Sequence, residues 1–351
     1  MKIYRPICAA EFQCNGASCG SRCCRDWHVV VDDRTREKFS ALPEDDREDF
    51  FRHVTELNGA HVLRPEKSGA CPFLDENFLC RLQLKHGEEF LPEICQSFPR
   101  VTYKLDDEIF LQTLTLTCPV AAKKILLRKE PITFEVVDKI GARMVFDYTT
   151  KFLKPVEEFL RGQHAAIKIL QRRELSINER LKELCEFFGE KISVPVEFDA
   201  ASNAAALVEI FGEMYSANLS VGKKNRLVEI YLTSRAEILS GVYRAFGHVA
   251  ENYLVNEFFM RLYPCAFVGD EKFNVRVFVT AWRMVEFATV LRALSQSQLS
   301  TEDFLELLCV LSDKLDHSRG GMEAIKKFAA LHDAEIFYAL MIDGQIPDPD
   351  P

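Results

Sequence analysis

The chain has 351 residues, which is enough for two domains or one large domain. Hydrophobic residues make up 48% of the sequence and charged residues 28%, and its 27 phenylalanines exclude an intrinsically disordered chain. The formal net charge of −9 argues against a protein that binds nucleic acid through a generally basic surface.

The N-terminal stretch does not contain the apolar core of a secretory signal, because Lys2, Arg5 and Glu11 interrupt it. The sequence also has no run of about 18 uncharged apolar residues, so it predicts no transmembrane helix. We therefore expect a cytoplasmic protein whose thiols stay reduced, with no membrane partner and no nucleic-acid partner.

The cysteines are concentrated at the front of the chain, where nine of the twelve lie within the first 118 residues. A cytosolic chain with this density is not expected to form a disulfide framework, so a metal ion or an iron–sulfur cluster is the better interpretation. Four thiols lie within eleven residues, and two glycines between them allow the backbone to turn tightly. These four are Cys14, Cys19, Cys23 and Cys24.

The spacing of the cysteines leaves the kind of metal open. Zinc takes four ligands, whereas a [4Fe–4S] cluster takes up to four thiolates and can leave one iron open. The C-x3-C-x2-C signature of radical enzymes that cleave S-adenosylmethionine is absent, because Asp26 stands three residues after Cys23. Eight cysteines from Cys14 to Cys118 exceed the needs of one such site. Either two sites exist, or some of the thiols are structural or catalytic.

The segment after the first cysteines predicts a strand and then helices. Trp27 to Asp32 has the composition of one short strand. Residues 35–57 carry apolar side chains at helical spacing, and Pro43 divides this pattern into two predicted helices.

A second cysteine-bearing stretch covers residues 60–100, with Cys71 and Cys80 on either side of a predicted turn. Residues 101–118 alternate strand-forming residues around a turn, which predicts a β-hairpin. Cys118 precedes a proline that is expected to open a helix. A thiol at a helix N-terminus is favoured as a thiolate or as a ligand of an anionic cluster.

From about residue 135 onward the sequence predicts mostly helix, with start signals at Ser176 and Ser300. The expected fold class is mainly α, with a small Cys-rich α+β part at the N-terminus and a helical C-terminal bundle. The predicted divisions are a Cys-rich metal- or cluster-binding domain, a helical domain and a disordered tail, at residues 1–130, 131–343 and 344–351.

Three stretches occur in a characteristic order between residues 14 and 100: CNGASCGSRCCRDW, CPFLDENFLCRLQ and EICQSFPR. This succession resembles the Cys-rich zinc- or iron-chelating domain. The stretch ENYLVNEFFMRLYP begins at Glu251. Together with the length and the helical second part, it makes the chain similar to the flagellin lysine-N-methylase family.

The resemblance implies a bacterial enzyme that methylates lysine side chains of a protein such as flagellin, with a [4Fe–4S] cluster and S-adenosyl-L-methionine as cofactors. The sequence offers no strand–GxGxxG–helix motif for the methyl donor, since GASCG lies in a cysteine loop. This absence favours a route through the cluster. The alternative is a non-catalytic protein that chelates zinc or iron.

The candidate site residues follow from their types and positions. Trp27 is expected to shield a cofactor from water, and Arg100 to neutralise the negative charge of a cluster. Glu251 is the candidate catalytic residue that accepts a proton from the substrate ammonium. Asn252 and Asn256 share one helix face and are expected to bind the cofactor or the lysine. The candidate metal ligands are Cys14, Cys19, Cys23, Cys24, Cys71, Cys80, Cys95 and Cys118.

Overall fold

A computed structural model describes residues 1–139, 144–150, 154–190, 200–267, 269–296, 299–317 and 319–331. The chain forms two compact units. The first contains Met1–Ala121 and Phe134–Thr149, and the second contains Ala122–Thr133 and Thr150–Pro351. The predicted tail at 344–351 lies outside the described residues, and the predicted domain boundary at residue 130 stays a prediction.

The first unit is built from short strands and short helices. Its strands are β1 (Lys2–Pro6), β2 (Val29–Val30), β3 (Val54–Leu57), β4 (Ala60–Leu63), β5 (Arg100–Lys104), β6 (Ile109–Leu114), β7 (Phe134–Val137) and β8 (Phe146–Asp147). Its helices are α1 (Ile7–Ala10), α2 (Asp33–Ser40), α3 (Glu44–Phe51), α4 (Arg81–His86), α5 (Glu93–Ser97) and α6 (Pro119–Leu126). The last of these, α6, begins in the first unit and ends in the second. Three further segments are 3-10 turns, at Gly16–Cys19, Arg22–Cys24 and Glu88–Phe90.

The strands form two sheets. The larger has the order β7-β1-β6-β5-β8, with β5 and β6 antiparallel and β1 parallel to β6, and the smaller has the order β2-β4-β3. The predicted hairpin at 101–118 is confirmed by the β5–β6 pair, and the predicted helix start after Cys118 by α6. The strands β7 and β8 were not predicted, because each is short and pairs only with strands distant in sequence.

The second predicted helix, expected to reach Leu57, ends at Phe51 in the structure. The chain from Val54 to Leu57 forms strand β3 instead. Asn58 and Gly59 both have positive φ angles, of 52° and 79°. Two such residues form the tight turn that joins antiparallel strands. The Asn-Gly pair therefore turns β3 back onto β4, and this local signal overrides the helical spacing of the apolar residues.

An aromatic core holds the first unit together between α2 and α3. The rings of Phe39 and Phe50 are stacked with their centroids 3.7 Å apart, and both side chains are fully buried. Phe73 also stacks on Phe50, with the centroids 5.8 Å apart. These rings belong to one apolar cluster, and Trp27, Cys71, Cys80 and Cys95 pack against it.

The second unit is helical in the part of it that the structure describes. The helices that follow α6 are α7 (Val156–Leu170), α8 (Ile177–Phe187), α9 (Ala200–Met214), α10 (Val221–Met260), α11 (Glu271–Leu294), α12 (Thr301–His317) and α13 (Arg319–Leu331). The predicted start signals are confirmed: Ser176 forms a capping box with Glu179 at α8, and Ser300 accepts a hydrogen bond from the N–H of Asp303 at α12. The expected fold class, mainly α with a small mixed N-terminal part, is confirmed.

Helix α10 is the centre of the helical unit and packs against α7, α9 and α11. Its backbone leaves helical geometry at Phe246, where φ is −131° and ψ is 21°. After this kink every residue of Val249–Met260 is buried, including polar residues that were predicted as site residues. No helix in the described ranges combines the length and apolarity that crossing a membrane requires.

Candidate metal centre

Five cysteines of the first unit influence one another's ionisation, and we call them the thiol cluster. They are Cys23, Cys24, Cys71, Cys80 and Cys95. The Sγ atoms of Cys23 and Cys24 are 3.9 Å apart on the turn Arg22–Cys24. Burial, followed by the negative charge of neighbouring thiolates, raises the pKa of Cys71, Cys80 and Cys95. Four separate segments of the chain therefore bring their thiols into one region.

Short backbone hydrogen bonds bring the first two of these segments together. The N–H of Cys71 donates to the carbonyl of Cys24 across 2.8 Å, and the N–H of Asp26 donates to the carbonyl of Gly69 across 2.7 Å. Gly69 has a φ of +82°, and a Cβ built there would collide with the carboxylate of Asp26. Only glycine permits this turn to approach the cysteine pair so closely.

The adjacent thiols Cys23 and Cys24 share a hydrogen bond that separates their acidities. The bond from Cys24 lowers the pKa of Cys23 to about 7, while burial opposes that shift. The same bond, burial and the charges of Cys71 and Cys95 raise the pKa of Cys24. Cys23 is therefore the more acidic thiol of the pair, and metal binding to such thiols releases their protons.

Nearby backbone N–H groups partly offset the effect of burial on the pKa of two further thiols of the cluster. Cys80 is the N-cap of α4. Burial raises its pKa, and the N–H groups of Leu82 and Gln83 reduce this rise without cancelling it. Burial raises the pKa of Cys71 to about 11, and the N–H of Phe73 acts in the opposite direction. Donors of this kind favour a thiolate over a thiol, and they surround metal-bound sulfur in proteins.

The donor chemistry of the thiol cluster fits a soft metal ion or an iron–sulfur cluster. Soft thiolates select such metals, and the apolar core behind Cys71, Cys80 and Cys95 keeps water away. As the side chains stand, the described part of the chain contains no three or more His, Cys, Asp and Glu arranged to hold a metal ion.

The other three predicted ligands are not counted in the thiol cluster, and one of them, Cys118, is coupled to it through the charge of Cys23. Cys118 lies at the start of α6, where burial raises its pKa to about 11 and charges on Cys19 and Cys23 add to the effect. Cys19 donates its thiol weakly to the carbonyl of Gly16 across 3.5 Å, and the exposed Cys14 accepts from the N–H of Gly16 across 3.3 Å. The structure thus links Cys118 to Cys19 and Cys23 electrostatically and leaves Cys14 on its own turn.

The two residues predicted to surround the cluster have different environments. Trp27 donates its indole N–H to the carbonyl of Cys23 across 2.8 Å and packs against the apolar core, so it lies beside the cysteine pair. Arg100 donates to the carbonyl of Phe12 across 2.9 Å and lies 5.3 Å from the centre of the Phe12 ring. Burial lowers the pKa of Arg100, and Arg5 adds to this effect. Both of these contacts of Arg100 are with Phe12, and neither involves a thiol.

Glu251, the predicted proton acceptor, lies in the helical unit with a carboxylate that is only 2% exposed. It accepts hydrogen bonds from Nε and Nη2 of Arg173, both at 2.9 Å, and from Nη1 of Arg180 at 3.1 Å. Arg173 also donates to the carbonyl of Lys129 across 2.7 Å. Both carboxylate oxygens are occupied by guanidinium donors, so these contacts favour a structural ion pair over proton transfer.

Asn252 and Asn256 are buried in the same helix, at 0% and 3% exposure. Asn252 donates from Nδ2 to the carbonyls of Leu126 and Arg128, at 3.2 and 2.8 Å, and so binds the C-terminal end of α6. The Oδ1 of Asn252 and the Nδ2 of Asn256 have no hydrogen-bond partner among the described residues. Asn252 is therefore half engaged in structure, and the cofactor- or lysine-binding role of both residues stays a prediction.

Known protein families match both the cysteine-rich part and the helical part of the chain. A family model described as a zinc- or iron-chelating domain matches residues 13–119, and the model of the FliB lysine N-methylase C-terminal domain matches residues 197–340. A flagellar biosynthetic protein, FliU of Salmonella muenchen, is 30% identical over 130 residues, which are 35% of this chain and 76% of FliU.

The chain belongs to the lysine-N-methylase family. The resemblance stated from the sequence is thereby confirmed. Lysine-N-methylases of Salmonella typhimurium and Salmonella choleraesuis are each 29% identical over 156 residues, 43% of this chain. The match spans 38% of the length of these two relatives. No solved structure matches the chain.

Two residues of this lysine-N-methylase family member that bear on the thiol cluster were not predicted. Asp32 accepts hydrogen bonds from the N–H groups of Thr35 and Glu93, at 2.9 and 2.8 Å, and so joins the starts of α2 and α5. The hydrogen bond from Thr35 could have been predicted, because an aspartate directly before a helical pattern is a typical helix cap. The hydrogen bond from Glu93 could not, because Glu93 is distant in sequence. Arg81, directly after Cys80, exerts a positive charge that lowers the pKa of Cys71 and Cys80.

Proposed function

We propose that this protein is an iron–sulfur-dependent methyltransferase that uses S-adenosyl-L-methionine to methylate lysine side chains of a protein such as flagellin. Membership of the lysine-N-methylase family supports methylation of lysine. The name of the relative FliU refers to the flagellum, which supports flagellin as the substrate. We place the reaction in the cytoplasm, where the thiols stay reduced.

The observation that carries this proposal is the gathering of the thiol cluster from four segments of the first unit. Cys23 is the thiol with the lowered pKa, about 7, and nearby backbone N–H groups act to lower the pKa of Cys71 and Cys80 against the effect of burial. Thiols gathered in this way against an apolar core are ligands more than packing residues. The chelating-domain match over residues 13–119 covers all of them and supports a bound metal.

The residues that would hold a [4Fe–4S] cluster are drawn from the thiol cluster and from Cys118 and Cys19. Such a cluster takes up to four thiolates, so the remaining thiols would serve a second site or a structural purpose. When bound, it would supply electron transfer and an open iron position for the amine and carboxylate of the methyl donor.

The chain's own residues prepare this region for a negatively charged group. The N–H groups of Phe73, Leu82 and Gln83 stabilise thiolate charge, and Arg81 adds a positive charge. Trp27 covers the backbone of the cysteine pair, and the apolar core behind it excludes water. The negative charge of the thiolates is therefore stabilised by fixed backbone dipoles instead of by mobile water. Electrostatic interactions are stronger in such a region of low dielectric constant.

The substrate lysine is protonated at neutral pH and needs a proton acceptor before it can act as a nucleophile. The catalytic role of Glu251 stays a prediction. Its two arginine partners would have to give up hydrogen bonds before it could accept a proton. The cofactor-binding roles of Trp27 and Arg100 also stay predictions.

The test is anaerobic purification, followed by iron, sulfide and zinc analysis and by a methylation assay with S-adenosyl-L-methionine and flagellin. We expect a brown protein that contains iron and sulfide and adds methyl groups to flagellin lysines. Removal of the iron should abolish the transfer and reconstitution should restore it. Methyl transfer that persists at full rate without iron would contradict the cluster-dependent mechanism.

The second candidate is a non-catalytic protein that chelates zinc or iron. The description of the chelating-domain model, which names both metals, is the observation that favours it. A zinc protein would be colourless, would contain no sulfide and would leave flagellin unmodified. The same purification therefore separates the two candidates.

A further inference from the structure

A large aromatic side chain stands in solvent two residues before Cys80 of the thiol cluster. Phe78 is 43% exposed and Leu79 is 36% exposed, and the next residue is Cys80. Phe78 has a φ of 60°, in the left-handed region that bulky side chains rarely adopt. Its neighbour Asn77 is of a type that tolerates this conformation. Neither burial nor backbone preference explains why phenylalanine stands at this position, so a contact outside the folded unit is the better explanation.

The turn that carries Phe78 is held by hydrogen bonds at both ends. The N–H of Phe78 donates to the carbonyl of Asp75 across 3.1 Å, and the Asp75 carboxylate accepts from the N–H of Leu79 across 2.8 Å. The carbonyl of Phe78 accepts a hydrogen bond from the buried hydroxyl of Ser21 across 2.5 Å. The ring is therefore presented by an ordered turn whose outward orientation is built into the backbone.

Charges of both signs lie near the ring. The Asp75 carboxylate of the same turn is occupied by the N–H groups of Asn77 and Leu79, and Glu76 is exposed. Two arginines come from a distant part of the sequence. The guanidinium carbon of Arg25 lies 5.5 Å from the centre of the Phe78 ring, and Arg22 is exposed on the neighbouring turn. We call Phe78, Leu79 and Arg25 the Phe78 platform. In a chain with a net charge of −9, an apolar surface edged by arginine complements an apolar side chain next to a carboxylate.

We propose that the Phe78 platform is the docking surface for the protein substrate, and that it takes a segment in which an apolar side chain stands next to Asp or Glu. The ring and Leu79 receive the apolar side chain, and Arg25 pairs with the carboxylate. The segment is then held beside Cys80 and the thiol cluster. This inference rests on the proposed function, because it assigns the substrate of that same site.

The experiment measures the affinity of the metal-loaded full-length protein for monomeric flagellin, with no methyl donor present. The variants are Phe78→Asn, Phe78→Ala and Arg25→Glu, and the matched control is Phe187→Ala. Phe187 is 48% exposed and lies in the helical unit. We expect the Phe78 and Arg25 variants to weaken binding by about tenfold or more, and the control to bind like the wild type.

Asparagine at position 78 relieves the left-handed strain, so the thermal midpoint of Phe78→Asn should equal or exceed that of the wild type. A weakened affinity in this variant then reports the lost ring and not a misfolded turn. Wild-type affinity in Phe78→Asn, or a wild-type protein that does not bind flagellin, would overturn the inference.

Methyl transfer to flagellin is measured separately on the same proteins. Transfer by the wild type with unchanged affinity in Phe78→Asn would overturn the docking surface and leave the proposed function intact. Weakened affinity in Phe78→Asn without any methyl transfer by the wild type would support the docking surface and contradict the proposed function.

Discussion

The carboxylate of Asp32 accepts a hydrogen bond from the backbone N–H of Glu93 across 2.8 Å, although the two residues are 61 positions apart. The same side chain caps α2 through Thr35. Glu93 is the first residue of α5, the helix that carries Cys95. One acidic side chain thus joins the starts of two helices and sets the position of one member of the thiol cluster.

Replacing Asp32 with alanine should destabilise the first unit by about 1 kcal/mol, the usual effect of losing a helix cap. The freed α5 should also lower the metal affinity, since Cys95 loses its anchor. Differential scanning calorimetry and metal titration measure the two effects. Asp33→Ala is the control, because Asp33 is exposed and does not cap α2. Equal metal affinity in both variants would contradict the role of Asp32.

The acid sensitivity of the fold should also depend on Asp32. Burial raises its pKa, but the N–H groups of Glu93 and Thr35 outweigh burial, so the pKa of the folded state is lowered. A lowered pKa contributes stability above the unfolded value of about 4, and this contribution is lost as the pH falls through the folded pKa. The stability difference between the wild type and Asp32→Asn should therefore shrink below about pH 4. Denaturant unfolding at several pH values measures it, and a difference that grows towards acid would contradict the assignment.

Removing a member of the thiol cluster should remove the metal. We expect Cys71→Ser and Cys95→Ser to lose most of the bound metal, because thiolate softness selects it. Cys185→Ser is the matched control, since Cys185 is buried in the helical unit and should leave the metal content unchanged. Elemental analysis after desalting is the measurement. Full metal content in both cluster variants would place the ligands elsewhere.

Replacing Glu251 with glutamine should destabilise the helical unit by about 3 kcal/mol, because Arg180 would keep a buried charge without its partner. Arg173 is 42% exposed, so solvent screens part of this effect. The control is Glu183→Gln, which removes a half-buried partner of Arg172 and leaves its second partner Glu174, so the thermal midpoint should stay nearly unchanged. An unchanged midpoint in Glu251→Gln together with lost methyl transfer would instead support a catalytic base.

Replacing Gly69 should lower the stability and metal affinity of the cysteine region by more than the strain of its positive φ angle alone would. Gly59 has a similar positive φ, but a Cβ there meets nothing within 4 Å, whereas a Cβ at Gly69 collides with Asp26. Gly69→Ala should therefore lower both stability and metal affinity more than Gly59→Ala does. Equal losses of stability in the two variants would show that the contact with Asp26 can relax.

Local patterns in the sequence predicted the elements that have local causes. The capping box at Ser176, the hairpin β5–β6 and the proline-led helix α6 each depend on residues a few positions apart. The strands β7 and β8 depend on partners far along the chain, and no periodicity indicates them. The family resemblance identified the second part of the chain, which composition alone would leave as a helical bundle.

The candidate site was predictable in its chemistry and less so in its geometry. Cysteine density and spacing indicated a soft metal, but not which thiols meet, because that depends on backbone bonds such as Cys71 to Cys24. The polar residues of α10 were predicted as site residues from their shared helix face. Their contacts with Arg173, Arg180 and the end of α6 come from other helices, and a single helical pattern cannot show them.

The burial of Val249–Met260 on every side has a consequence for how the helical unit opens. Amide protons in this stretch have no route to solvent through a local fluctuation, since each turn is covered by neighbouring helices. Their exchange with deuterium should therefore require cooperative unfolding of the whole unit. The exchange rates of these amides would therefore report the global free energy of unfolding, and those of the more exposed first half of α10 can be compared with them.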